Sequence, residues 1–266
     1  MKRDERAVLF EREVLSPDAC LLHFRSESLF RSFLPGQFTM VRLPETSGLL
    51  LRRPYSFCDV RAEHSSFSLL VKEVGEGTRA LARLAIGTSV DCLGPLGSSF
   101  RPPPNDRTPL IVAGGVGIAP FLAFCRMLAR RGQRAIVLLG GRTSADLYLR
   151  GEFLSLGMDV RSATEDGSFG HEGLVTDVLA EVLNGKTSFE LYSCGPTPML
   201  VRVARMARER GLPHQVSLER RMGCGMGCCL GCVVFVHSTN EYVRCCTEGP
   251  VYDADEVAWE RDPYPL

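Results

Sequence analysis

Between residues 223 and 232 the chain reads GCGMGCCLGC, four cysteines in ten positions with glycines beside nearly all of them. Two more thiols, Cys245 and Cys246, follow in YVRCCTEGP. Thiols this dense can form disulfides, act as a redox dithiol, bind zinc or hold an iron–sulfur cluster. The other five of the eleven cysteines, Cys20, Cys58, Cys92, Cys125 and Cys194, stand singly. The N-terminus, MKRDERAVLFEREVLS, mixes acids and bases and has no apolar core of a signal peptide. No run of about 18 apolar residues is present, so no membrane-spanning helix is expected. These features imply a cytoplasmic chain, where disulfides are disfavoured and metal is the stronger reading. Zinc usually takes paired C-x2–4-C knuckles. Cys229-x2-Cys232 has no equally spaced partner here, only the adjacent pair Cys245 and Cys246.

Other stretches suit phosphates and heterocycles. AGGVGIAP (113–120) follows an apolar strand and opens a helix. Glycines there let backbone N–H groups approach a pyrophosphate at a helix N-terminus, although the same glycines can serve packing alone. SCGPTPML (193–200) ends a second strand, and two such loops make a crevice. In RRPYSF (52–57), Arg53 can pair with a phosphate, Tyr55 can stack and Ser56 can bond a heterocycle. Read locally, RRPYSF is also an ordinary strand with an edge proline. VGEGT (74–78) offers bare N–H groups at Gly77 and Thr78 before a short helix. Cys194 reads equally as a buried strand-end thiol. Arg142 reads as a solvated arginine or a contact to an adenosine phosphate, and His171 and His237 as surface residues.

The elements that must position these groups differ along the chain. Residues 1–103 are short strands, AVLFEREVL, ACLLHFRS, QFTMVRLP, RPYSFCDV, SFSLLVKEV and SVDCLGPLG, as in a small antiparallel barrel. RPPPND (101–106) reads as a linker. Residues 104–218 alternate strand and helix, which predicts a doubly wound parallel sheet. Residues 219–266 form a small cysteine-rich tail with one strand pair, CVVFVHS and EYVRCC. The fold class is thus β plus α/β in three domains. A formal net charge of +0, with 45% hydrophobic and 23% charged residues, is ordinary for a globular protein and predicts no nucleic-acid partner.

In this order the motifs resemble the ferredoxin–NAD(P) reductase superfamily, whose barrel holds a flavin and whose α/β domain binds a pyridine nucleotide. The tail, MGCGMGCCLGCVV with YVRCCTEGPVYDADEV, and the segment TEDGSFGHEGLVTD resemble the electron-transfer subunits of NAD-linked dihydroorotate dehydrogenases. The resemblance implies FAD at Arg53, Pro54, Tyr55, Ser56, Leu70, Val71, Lys72, Gly77 and Thr78. It implies NAD at Gly114, Gly115, Val116, Gly117, Ala119 and Pro120, with Cys194, Gly195 and Pro196 near the nicotinamide. It implies a [2Fe–2S] cluster on Cys224, Cys229, Cys232 and Cys246, with the plant-type x4 and x2 spacings. Cys228 and Cys245 depart from the family pattern and stand as alternative ligands. The implied partner is an FMN-containing, dihydroorotate-oxidising subunit in a heterotetramer of two of each. Flavin is the needed converter between a two-electron nicotinamide and a one-electron cluster. The same modules also suit a ferredoxin–NADP oxidoreductase or a sulfide dehydrogenase, and a zinc-stapled binding protein on a degenerate scaffold is a third alternative.

Overall fold

Strict alternation opens the chain: Ala7 and Leu9 are fully buried while Val8 between them is exposed, the period of a strand with one wet face. In the computed structural model, which describes residues 3–28, 33–44, 47–185 and 188–261, this is β1 (Arg3–Ser16). It is followed by β2 (Ala19–Arg25), β3 (Phe38–Arg42), β4 (Arg53–Ser56), β5 (Asp59–Arg61), β6 (Ser66–Lys72), helix α1 (Glu76–Ala82) and β7 (Ser89–Leu96). All pairings in this sheet are antiparallel, in the order β4-β3-β7-β1-β2-β6-β5. Only Phe57 and Cys58 separate the two edge strands. The Phe57 N–H donates to Gln37 beside β3, and the Cys58 N–H to Ser68 on β6. Two residues therefore close the sheet into a barrel, around Phe24, Phe57 and Phe67.

The second sheet holds β8 (Thr108–Gly114), β9 (Ile136–Gly141), β10 (Asp159–Thr164), the short β11 (His171–Glu172), β12 (Phe189–Cys194) and β13 (His214–Ser217). Helices α2 (Phe121–Arg130), α3 (Arg150–Ser155), α4 (Val175–Leu183) and α5 (Thr197–Glu209) connect them. In α5 the buried residues Leu200, Val203, Ala204 and Ala207 recur at helical spacing. The strand order is β11-β10-β9-β8-β12-β13, all parallel. Winding reverses between β8 and β12, the switch point at which ligands of such sheets bind.

The tail contributes the hairpin β14 (Val233–Val236) and β15 (Glu241–Arg244). Its last strand, β16 (Val251–Asp253), leaves the cysteine-rich module and pairs antiparallel with β13, a strand that the sequence reading does not anticipate. RPPPND is held as well: the Arg101 N–H donates to Gln215 at 2.9 Å, and its guanidinium pairs with Asp253. One hydrophobic cluster joins Phe38, Met40 and Leu96 of the barrel to Leu218 after β13 and to Cys232 and Cys246 of the tail.

Candidate functional site

Most glycines of the switch-point loops sit where a side chain does not fit. A Cβ on Gly114 would lie 2.8 Å from Pro196 Cδ, and one on Gly117 would overlap the Cys194 carbonyl. Gly115 has a φ of +52°, in the left-handed region. The loops after β8 and β12 therefore interlock, and their backbones floor a cleft of about 830 Å³. Lys72 and Val74 of the barrel, Gly140 in β9, Arg142 after it, and Leu218 and Glu219 after β13 also line it. Lys72 reaches across to Asp146, which also accepts from the Tyr148 hydroxyl at 3.1 Å and the Arg142 N–H at 3.3 Å. Burial acts against both charges, but each holds the other ionised: Asp146 below and Lys72 above their usual values. Cys194, next to the cleft-lining Gly195, is buried, and burial raises its thiol well above the ordinary range.

On the barrel, RPYS and GEGT come together. A Cβ on Gly77 would fall inside the Arg53 guanidinium, so the arginine lies directly over the first turn of α1. The first N–H groups of that turn have no partner carbonyl within the helix, and they stand beside a fixed positive charge. Thr78 turns its hydroxyl back to accept from the Val74 and Gly75 N–H groups. Tyr55 is enclosed, and burial pushes its hydroxyl up to about 12. That hydroxyl has no hydrogen-bond partner among the described residues, as expected of a group whose partner is a ligand.

The cysteine loop lies against the same barrel. Gly225 (φ +69°) packs on Met40 and Leu96, where any side chain would collide. Among the described residues no group of three or more His, Cys, Asp or Glu side chains is arranged to hold one metal ion. Cys229 lies close enough to Cys224, and Cys232 to Cys246, to act on its partner's thiol. Two pairs of thiols match two irons, two ligands each, better than one tetrahedral ion. Burial acts to raise the Cys224 thiol, but the N–H groups of Met226, Cys229 and Cys228 and the Cys229 thiol bring it down to about 6. N–H groups aimed at sulfur are what a cluster's thiolates require. Cys228 is exposed. Cys245 is fully buried, and its Sγ donates to the Leu218 carbonyl at 3.5 Å.

Three family models match the chain in order: an oxidoreductase FAD-binding domain over residues 6–100, an oxidoreductase NAD-binding domain over 111–205, and the iron–sulfur cluster binding domain of dihydroorotate dehydrogenase B over 219–258. The dihydroorotate dehydrogenase B (NAD(+)) electron transfer subunit of Shouchella clausii (strain KSM-K16) is 38% identical over 261 residues, 96% of this chain and 98% of that protein. The chain belongs to this family. The electron transfer subunit of Desulforamulus reducens is 35% identical over 93% of this chain and 95% of its own length. Among solved structures, a chain of the NADH-dependent reduced ferredoxin–NADP oxidoreductase superposes with a TM-score of 0.85 at 30% identity, covering 96% of this chain and 90% of that one. The ferredoxin reductase of carbazole 1,9a-dioxygenase shares the fold, with a TM-score of 0.69 at 24% identity over 80% of this chain and 67% of that one.

As a member of the dihydroorotate dehydrogenase B electron transfer family, the chain is an oxidoreductase subunit with FAD-binding, NAD-binding and cluster-binding modules, and it works with a catalytic partner subunit. Among the described residues no helix is long and apolar enough to cross a membrane. Arg142 is mostly exposed and pairs with Asp146 at 3.4 Å. His237 lies 3.9 Å from Glu260 at the surface. Two features are not anticipated from the sequence: the Lys72–Asp146 bridge, which joins residues 74 positions apart, and Glu219 at the β13 end of the cleft.

Proposed function

We propose that this chain is the electron-transfer subunit of an NAD-linked dihydroorotate dehydrogenase of pyrimidine biosynthesis, a cytoplasmic relay between a dihydroorotate-oxidising FMN subunit and NAD+, in a heterotetramer of two subunits of each kind. The observation that carries the reading is the match to three modules in one order, ending in the dihydroorotate dehydrogenase B cluster domain. When bound, FAD exchanges a hydride with NAD and single electrons with the [2Fe–2S] cluster. The chain's own residues bind, orient and shield these groups. Arg53, with the N–H groups around Gly77 and Thr78, would hold the flavin's phosphates, while Pro54, Tyr55, Ser56 and Leu70–Lys72 would hold its ring system. Gly114–Gly117, Ala119 and Pro120 would carry the dinucleotide on bare backbone, with Cys194–Pro196 closing the floor. Cys224, Cys229, Cys232 and Cys246 would ligate iron.

The test is co-purification with a dihydroorotate-oxidising subunit. Dihydroorotate should reduce NAD+ only when both subunits are present, and the isolated chain should pass electrons from NADH to artificial acceptors. Dihydroorotate oxidation by this chain alone would overturn the reading. So would a pair that ignores dihydroorotate and instead couples reduced ferredoxin to NADP+, the reaction of its structural neighbour.

A further inference from the structure

On the relay reading above, a dinucleotide must enter the cleft and leave it in every turnover, so the cleft must both close on its ligand and let it go. We propose that Lys72 is the strap that does this: its amino group passes between two carboxylates, Asp146 on the nucleotide domain when the cleft is closed and Asp18 on the barrel when it is open.

The cation stands between the two. Lys72 ends β6, and its amino group bonds Asp146, 74 residues away on the opposite wall of the cleft. Asp18, in the turn between β1 and β2, stands 3.5 Å from the same nitrogen. Lys72 and Asp146 are mostly buried, while Asp18 is half-exposed. A buried ion pair is hard to break because each charge is left without a partner. Here both charges have replacements in place. Released by Lys72, Asp146 keeps the Tyr148 hydroxyl at 3.1 Å, the Arg142 N–H at 3.3 Å and the Arg142 guanidinium at 3.4 Å. Released by Asp146, Lys72 keeps Asp18, which a 2.9 Å hydrogen bond from the Ser16 hydroxyl holds in place. The exchange strands neither charge.

Asp146 is the anchored end. Tyr148, which donates to it, is almost fully buried, and Leu149 is held in the left-handed region (φ 59°), which a leucine rarely adopts. The TEDGSFG segment (164–170), which takes no part in the sites above, braces the same loop. The Ser144 N–H donates to Ser168 at 2.8 Å, the Asp166 N–H to the Arg142 carbonyl at 3.2 Å, and Arg150 lies 4.8 Å over the Phe169 ring. Residues 173–176, just beyond that segment, line the cleft together with Asp146. The carboxylate is thus a fixed part of the cleft wall, and the lysine, a charge on a flexible four-carbon stem, is the part that moves.

Replacing each carboxylate separates the two positions. Asp146→Asn keeps the shape and removes the charge that draws Lys72 across; Asp18→Asn removes the one that draws it back. The probe is ring-saturated tetrahydro-NAD, which occupies the cleft and has no hydride to give. Its release is followed from the flavin absorbance of the chain loaded with FAD and cluster. Asp146→Asn should release it about tenfold faster than the wild type and Asp18→Asn about tenfold more slowly, the size of one charge-assisted hydrogen bond in each direction. In the cofactor-free chain, amine labelling of Lys72 read by mass spectrometry should stay slow in either single variant and rise in the double variant, because each carboxylate stands in for the other. Release shifted the same way by both variants, release changed by neither, or Lys72 labelled as fast in Asp146→Asn as in the double variant would each overturn the strap. Where a variant loses its FAD, the labelling decides alone. A wild-type chain that takes up neither FAD nor iron would instead overturn the relay reading itself.

Discussion

Cys245 and Cys246 are neighbours with opposite surroundings. One thiol is buried against the Leu218 carbonyl; the other meets Cys232 and the Gly227 N–H. Single serine replacements of Cys224, Cys229, Cys232 or Cys246 should therefore abolish the iron absorbance, while Cys228→Ser and Cys245→Ser should retain iron, which metal analysis and visible spectra can read. Iron lost from Cys245→Ser but kept in Cys246→Ser would reverse the assignment. His214 is a second residue with a definite consequence. It is buried, its Nε2 lies 2.7 Å from Ser193 Oγ, and burial drives it down to about 3. The folded chain keeps it neutral, while the unfolded chain protonates it near its ordinary 6.5. The unfolded state then binds more protons between those values, so stability falls as pH drops through that window. Denaturant midpoints near neutral pH and at about pH 5 should differ less in His214→Gln than in the wild type.

At the scale of elements, the contact between β4 and α1 brings together two motifs more than twenty residues apart, those proposed above to cradle the flavin's phosphates. Arg53→Ala should weaken FAD retention by about 1.5–3 kcal/mol, the worth of a charge-assisted contact. Gly77→Ala should do the same without touching a charge, because the added methyl displaces the guanidinium. Flavin content after extensive dialysis measures both, and full retention in either would remove this cradle from the site. The strands of the barrel and the alternation of the nucleotide sheet were legible from periodicity, as was the strand pair of the tail. The break between β4 and β5 was not, because Phe57 and Cys58 continue the apolar run while their N–H groups turn to opposite sheet edges. Nor was β16, three residues long and recognisable only once β13 stands beside it. Motif spacing marked the glycines and cysteines of the candidate sites. The Arg53–Gly77 contact, the reach of Lys72 to Asp146 and the seat of Glu219 all join distant segments, and no local pattern announces them.

At the scale of the molecule, the cysteine loop projects Met226 and Leu230 into solvent, the latter 61% exposed with a left-handed backbone (φ 55°). Apolar side chains presented beside a redox centre suit a face covered by the catalytic subunit. Leu230→Glu should dissociate the complex in size-exclusion chromatography while FAD content and NADH oxidation by the chain persist; a stable complex would place the interface elsewhere. The path of the chain around that loop has a further consequence. The loop hangs between β13 and β16, two adjacent strands of one sheet, so it is slung from both ends like a hammock. During synthesis β13 emerges first and must wait, its outer row of N–H and C=O groups unpaired, until the cysteines have passed and β16 is made. A chain cut at Gly249 would leave that row open for good. Such a fragment should self-associate edge to edge, and light scattering would show it even if every cysteine were still in place.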